Sequence, residues 1–137
     1  MASHNFHANI KELPKMLLWI RSHLIEAGMD AGSIQKIELA SEEAIVNVIH
    51  HGYKDKGGKI ELSFDRLPNQ VEISIADQAP PFDPLAAAPP ADLDSPLEER
   101  QIGGLGIYLM RECLDGLRYR RENGLNILTL IKRLSTK

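Results

Sequence analysis

Residues 41–53 read SEEAIVNVIHHGY. Together with the run from Gly32 they predict a helix over 32–51. Ile37, Ala40, Ala44 and Val48 recur at three- and four-residue steps and make one apolar stripe, and Gly52 ends it. Glu43 and Asn47 stand beside that stripe, four residues apart and so one turn apart on one face. His50 falls one turn further on the same side. A carboxylate and an amide so placed point into the seam between this helix and the neighbouring layer. The amide oxygen suits a hard cation such as Mg²⁺, and the carboxylate can orient or deprotonate a hydroxyl. Taken alone, the pair is also an ordinary pair of solvated helical residues.

Working outward, residues 4–10 alternate weakly and predict a short edge strand. Residues 11–28 predict a helix with Leu17, Ile20, Leu24 and Ile25 on its apolar side, Pro14 in its first turn and Gly28 as its cap. KIELSFDR (59–66) and QVEISIA (70–76) alternate with period two around Pro68-Asn69 and predict a β-hairpin. Residues 77–102 hold six of the chain's eight prolines, so they form neither a continuous helix nor a strand; a loop of that length in a compact domain is usually functional. Residues 103–115 predict a helix opened by glycines. Residues 116–121 and 125–133 predict a second hairpin around Asn123-Gly124. The order β-α-α-β-β-loop-α-β-β implies an α+β fold: a two-layer α/β sandwich with a mostly antiparallel sheet and helices on one face.

The bulk composition narrows the function classes. The 137 residues, 43% hydrophobic and 26% charged, fit a single domain spanning 1–137 with its own core. A net charge of −3 shows none of the basic excess of a nucleic-acid binder. One cysteine, Cys113, rules out an internal disulfide and fits a reducing compartment; it reads as a small apolar helical residue rather than a nucleophile. No apolar run is long enough to cross a bilayer, and a cytoplasmic protein with no membrane contact is expected. His50 and His51, adjacent on a helix, point about 100° apart and are poorly placed to share a metal. Arg118, Arg120 and Arg121 read as the wet side of a strand, and Trp19 as filler of the first helix.

Two further segments carry chemistry. Asp77 ends a strand and opens DQAPPFDP (77–84). A carboxylate there can accept from an exocyclic amine such as adenine N6, or can merely form an Asx turn ahead of the prolines. Gly103-Gly104-Leu105-Gly106 opens a helix, where bare backbone N–H groups and the positive helix end suit phosphate oxygens. The stretch lacks the Lys and Ser/Thr of a P-loop and does not directly follow a strand.

The order of these segments is more telling than any one of them. The sequence resembles the ATPase superfamily of gyrase B, MutL and sensor histidine kinases, whose fold is the Bergerat-type ATP-binding fold. SEEAIVNVIHHGY resembles its N box, DQAPPFDP its first glycine box, and GGLGIYLMRECLDGLRYRRENGLNILTLIKRL (103–134) its second box with the closing hairpin. The closest likeness is to the compact branch of anti-sigma-factor serine/threonine kinases, over nearly the whole chain. The resemblance implies ATP and Mg²⁺ as ligands, with Glu43 as general base and Asn47 on the metal. It places Asp77 on adenine N6 with Thr129 nearby, and counts His51, Ala79 and Phe82 among the nucleotide-binding residues. Gly103, Gly104, Leu105 and Gly106 would wrap the phosphates, Arg100 would touch them, and 77–102 would be the lid. Ala79 stands where the superfamily's D-x-G carries glycine; the PPFDP continuation is kept.

The same resemblance implies an anti-anti-sigma (STAS-type) protein as phosphoryl acceptor, a sigma factor as second partner, and a homodimer joined through the N-terminal strand and first helix. Two other readings stand beside the kinase. One is a nucleotide-sensing module that holds partners with little or no transfer. The other is a detached histidine-kinase catalytic domain, which would need its phospho-accepting histidine on another chain.

Overall fold

The computed structural model describes residues 1–87 and 104–134. Five strands, β1 (Ala2–His7), β2 (Lys59–Arg66), β3 (Gln70–Asp77), β4 (Gly116–Glu122) and β5 (Leu125–Arg133), form one sheet in the order β1-β2-β3-β5-β4. Every neighbouring pair is antiparallel. Three helices, α1 (Leu13–Glu26), α2 (Ala31–Asn47) and α4 (Gly104–Cys113), cover one face, with α2 packed between the other two. A single turn, α3 (Pro84–Ala87), follows β3. The α+β two-layer sandwich expected from the sequence is present.

Period-two alternation puts the apolar set of each inner strand on the helix side. Ile60 and Leu62 of β2, Val71, Ile73 and Ile75 of β3, and Leu130 of β5 are each at most 1% exposed. They meet Met16, Ile20 and Leu24 of α1, Ile37, Ala40, Ala44 and Ile45 of α2, and Met110 of α4 in one core. Each large aliphatic side chain buried there contributes roughly 1.5–3 kcal/mol of transfer free energy.

Local signals account for the element ends. Asp30 caps α2 by accepting from the Ser33 N–H at 3.0 Å. After α1, Gly28 takes φ +85° and the Met29 N–H turns back to the Leu24 carbonyl at 3.1 Å, a glycine-dependent stop. Asn123 and Gly124, at φ 52° and 78°, make the two-residue turn between β4 and β5.

Two of the expected boundaries shift, and three residues of the expected apolar stripes are not fully buried. The first strand lies at Ala2–His7 rather than 4–10, because after Ala8 bonds Gly58 in the same register the chain turns at Asn9, which caps a 3₁₀ turn over Ile10–Glu12. The helix expected to run to 51 changes at Asn47 into a π turn over Val48–Gly52. Ile25 is 60% exposed and not part of the α1 stripe; with Leu24 already buried at the same level, its neighbour points about 100° away. Leu17 and Val48 are half-buried rather than fully inside.

Candidate functional site

The site begins with cross-strand register. At one end of the sheet Ile60 pairs with Asp77, Asp77 with Asn126, and Asn126 with Arg121. In the next row of the same face Ile75 pairs with Leu128 and Leu128 with Tyr119. The C-terminal turn of α2 lies across these rows. Between them is a cleft of about 410 Å³ including its open mouth. Ala44, Asn47, Val48 and Gly52 form the helix wall; Asp77, Asn126, Leu128 and Tyr119 form the sheet wall; Phe82 and Pro84 close one side.

The π turn shapes the helix wall. The Tyr53 N–H reaches five residues back to the Val48 carbonyl (2.8 Å), which widens the last turn and leaves Asn47 as the last regular helical residue above the cleft. Such inserted turns recur at functional sites. Lys54 and Asp55, both at positive φ (53° and 63°), then reverse the chain. Tyr53 ties this reversal to the sheet: its hydroxyl donates to the Lys59 carbonyl (2.6 Å) and accepts from the Gln78 N–H (2.7 Å). Burial, and after it the nearby Asp77 charge, hold the phenol above its usual range, against the opposing pull of the two backbone bonds.

Asp77 is 6% exposed. Its Oδ1 accepts from the Ala79 N–H (3.0 Å) and from Asn126 Nδ2 (2.9 Å). The Asx turn and Asn126 both use Oδ1, and Asp77 lines the cleft. Ala79 is 2% exposed, sits 3.5 Å from the position a Cβ on Gly52 would take, and has no positive φ. Its methyl group is accommodated because the turn is made by the Asp77 side chain rather than by a left-handed residue. Arg121 donates to the Ala79 carbonyl at 2.8 Å.

Glu43, one turn before Asn47 on α2, meets α4. A Cβ on Gly106 would lie 3.0 Å from Glu43 Oε2, so the carboxylate rests against the first turn of α4, with only a glycine to let it approach. Its pKa is raised, first by desolvation and then by the charge of Glu42, which makes it a stronger base. Asn47 in the cleft and Glu43 against α4 thus place one helix between the end of β3 and the glycine-opened helix.

The remaining expectations fall as follows. Phe82 lines the cleft and is 43% exposed. Gly104 and Leu105 lie in the backbone of α4, and Arg100 and Gly103 lie outside the described residues, as does the lid beyond 87. His51 is exposed and does not line the cleft; His50 pairs with Asp55. Thr129 is not brought in. It lies on the opposite sheet face, 3.0 Å from the Ser74 hydroxyl, because it is an odd number of residues from Asn126 and Leu128. The residues missed are Asn126, Tyr119 and Tyr53. Asn126 shares the face of Asp77 through the strand register, which no pattern within the segment itself announces.

Among the described residues no three His, Cys, Asp or Glu side chains gather as a metal cage. A cation here would take Asn47 together with ligand oxygens, the manner in which Mg²⁺ accompanies phosphates. The apolar walls, the buried carboxylate and the glycine approach fit a nucleotide.

Comparison with known proteins agrees with this geometry. The model of the histidine kinase-like ATPase domain matches residues 6–132. The chain belongs to that family. It is 30% identical over 104 residues to the serine-protein kinase RsbW of Bacillus cereus strain AH820, covering 74% of this chain and 65% of the relative. RsbW of Bacillus thuringiensis strain Al Hakam matches to the same extent. The chain thus spans less than two thirds of the length of these curated relatives. Among solved structures, the RsbU and RsbW domains of Rv1364c from Mycobacterium tuberculosis align with TM-score 0.68 at 20% identity, over all of this chain and 34% of that one. The catalytic domain of histidine kinase ThkA aligns at 0.57 and 14%, over the whole of both chains. These structural likenesses speak to the fold. Among the described residues, no helix is long and apolar enough to cross a membrane.

Proposed function

We propose that this family member binds MgATP in the cleft between α2 and the β3–β5 sheet edge and transfers the γ-phosphoryl group to a serine or threonine of a partner protein, as an anti-sigma-factor kinase. The observation that carries the reading is the convergence on α2: Asn47 faces a cleft floored by Asp77, while Glu43 meets Gly106 at the start of α4. Asp77 Oδ2 would accept from the adenine 6-amino group, with Val48, Leu128 and Phe82 against the ring. Asn47 would hold Mg²⁺, whose charge offsets that of the phosphates.

Phosphoryl transfer asks mostly for positioning and charge neutralisation. The acceptor hydroxyl oxygen bonds to the γ-phosphorus, the bond to the β–γ bridging oxygen breaks, and ADP leaves. Glu43 takes the hydroxyl proton; its raised pKa suits that role. The acceptor fitting the RsbW likeness is a STAS-type anti-anti-sigma protein, with a sigma factor as the second partner. The protein acts as a cytoplasmic homodimer, β1 and α1 supplying the contact.

The test is incubation with γ-labelled MgATP and a STAS-type partner. Label on a partner serine or threonine, abolished by Glu43→Ala, supports the kinase. Nucleotide-dependent partner binding without transfer would replace it with a sensing module, and label on a histidine would replace it with a histidine-kinase domain.

A further inference from the structure

Asn126 is the most heavily bonded side chain in the cleft. It is 5% exposed. Its Nδ2 faces three acceptors, Asp77 Oδ1 at 2.9 Å, the Pro80 carbonyl at 3.0 Å and the Ala79 carbonyl at 3.2 Å. Its Oδ1 faces two donors, the Tyr119 hydroxyl at 2.6 Å and the Phe82 N–H at 3.2 Å. An amide has two N–H groups and two lone pairs, so this one has nothing left for a ligand. Its orientation is also fixed. Turned over, its oxygen would face three acceptors and its NH₂ would face the Phe82 N–H.

We propose that Asn126 is the positioning residue that fixes Asp77 and the Ala79–Phe82 turn as one rigid acceptor site, and thereby sets the preference for a 6-amino over a 6-oxo purine. The inference rests on the adenine reading of the cleft given above. By holding Oδ1 of Asp77, the amide would leave Oδ2 for a ligand in the cleft that Asp77 lines. An acceptor welcomes the amino group of adenine and repels the carbonyl of guanine; a site built around a hydrogen bond discriminates steeply when the partner group is wrong. Tyr119 keeps the amide from turning, and Arg121, the neighbouring cation, holds the Ala79 carbonyl that Asn126 shares.

The experiment pairs two variants with two readouts. The first readout is MgATP and MgGTP affinity at pH 8 and pH 5.5. In Asn126→Ala, ATP affinity falls roughly tenfold or more at both pH values, as expected when buried acceptors lose their donor, and the ATP:GTP ratio narrows. In Asn126→Asp, a second carboxylate meets Asp77. Affinity falls at pH 8 and is regained in part at pH 5.5, where one proton is shared between the pair. The second readout needs no nucleotide: amide hydrogen exchange at Phe82 and Ala79, which speeds up in both variants.

Wild-type affinity and ATP:GTP ratio in both variants would overturn the proposal. So would equal losses for ATP and GTP with no pH component in Asn126→Asp, the pattern of a merely structural residue. If the wild type binds no nucleotide yet the variants still release the two amides, the positioning role survives and the ATP reading falls. If the amides stay protected in the variants, the positioning role itself is refuted.

Discussion

Gly58 is the position where the smallest change should be felt furthest away. A methyl group there would lie 2.4 Å from Cε1 and Cζ of the Tyr53 ring and 2.8 Å from Cδ1. Carbon atoms rest at about 3.5–4.0 Å, so the ring must move by roughly 1 Å or more. The ring is not a free end, because its hydroxyl bonds both the Lys59 carbonyl at 2.6 Å and the Gln78 N–H at 2.7 Å. A shift of that size takes both bonds out of range. Overpacking costs about 1–3 kcal/mol and each lost bond about 0.5–1.5 kcal/mol. Gly58→Ala should therefore destabilise the domain by about 2–4 kcal/mol, because the costs overlap when one movement causes both. For a chain of this length that is a fall in Tm of roughly 6–15 °C. Gly58 has no positive φ, so backbone strain adds nothing. The assay is thermal and urea unfolding of Gly58→Ala, Tyr53→Ala and the double variant. In the Tyr53→Ala background the added methyl should cost less than about 1 kcal/mol, since the ring it struck is gone. Additive costs, or a Gly58→Ala Tm within about 2 °C of wild type, would refute the reasoning.

Glu43→Gln should lower partner phosphorylation by roughly 10²–10⁴-fold while leaving MgATP affinity nearly unchanged, measured by initial rates and by calorimetry. The same variant should be more stable than wild type at pH 8 and equal to it near pH 4. The folded-state pKa of Glu43 is raised by desolvation and then by Glu42. The native state therefore holds the extra proton, and stability is lost as pH rises from the ordinary glutamate range, about 4.3, through the folded value. Equal Tm values at pH 8 would count against a desolvated Glu43. Gly106→Ala puts a Cβ 3.0 Å from Glu43 Oε2; transfer should drop roughly tenfold through misplacement of that carboxylate, with little change in urea midpoint. A rate equal to wild type would separate Glu43 from the α4 turn.

Much of the fold was legible because its signals are local. Alternation named β2 and β3, Asn123-Gly124 named the turn between β4 and β5, and the apolar stripe named α2. What escaped reading depends on register. Whether Thr129 or Asn126 shares a face with Asp77 turns on one residue of strand pairing, and no local pattern within LNILTLIKR decides it. The apolar character of Ile25 suggested burial, yet exposure there follows from the single position it is offset from Leu24. The π turn after Asn47 replaced an expected continuation of the helix. Its cause is the Tyr53–Val48 bond together with the two left-handed residues at 54 and 55, a combination with no fixed sequence signature. Ala79, where the resembling motif carries glycine, has no positive φ, because the Asp77 side chain makes the turn.

The central claim is that Asn47, above a cleft floored by Asp77, holds the metal of a bound nucleotide. Calorimetric titration of ATP into wild type and Asn47→Ala, with Mg²⁺ and with EDTA, tests it directly. Wild-type affinity should drop when Mg²⁺ is withdrawn, and the variant should bind weakly and equally in both conditions. Equal Mg²⁺ dependence in the two proteins would contradict it.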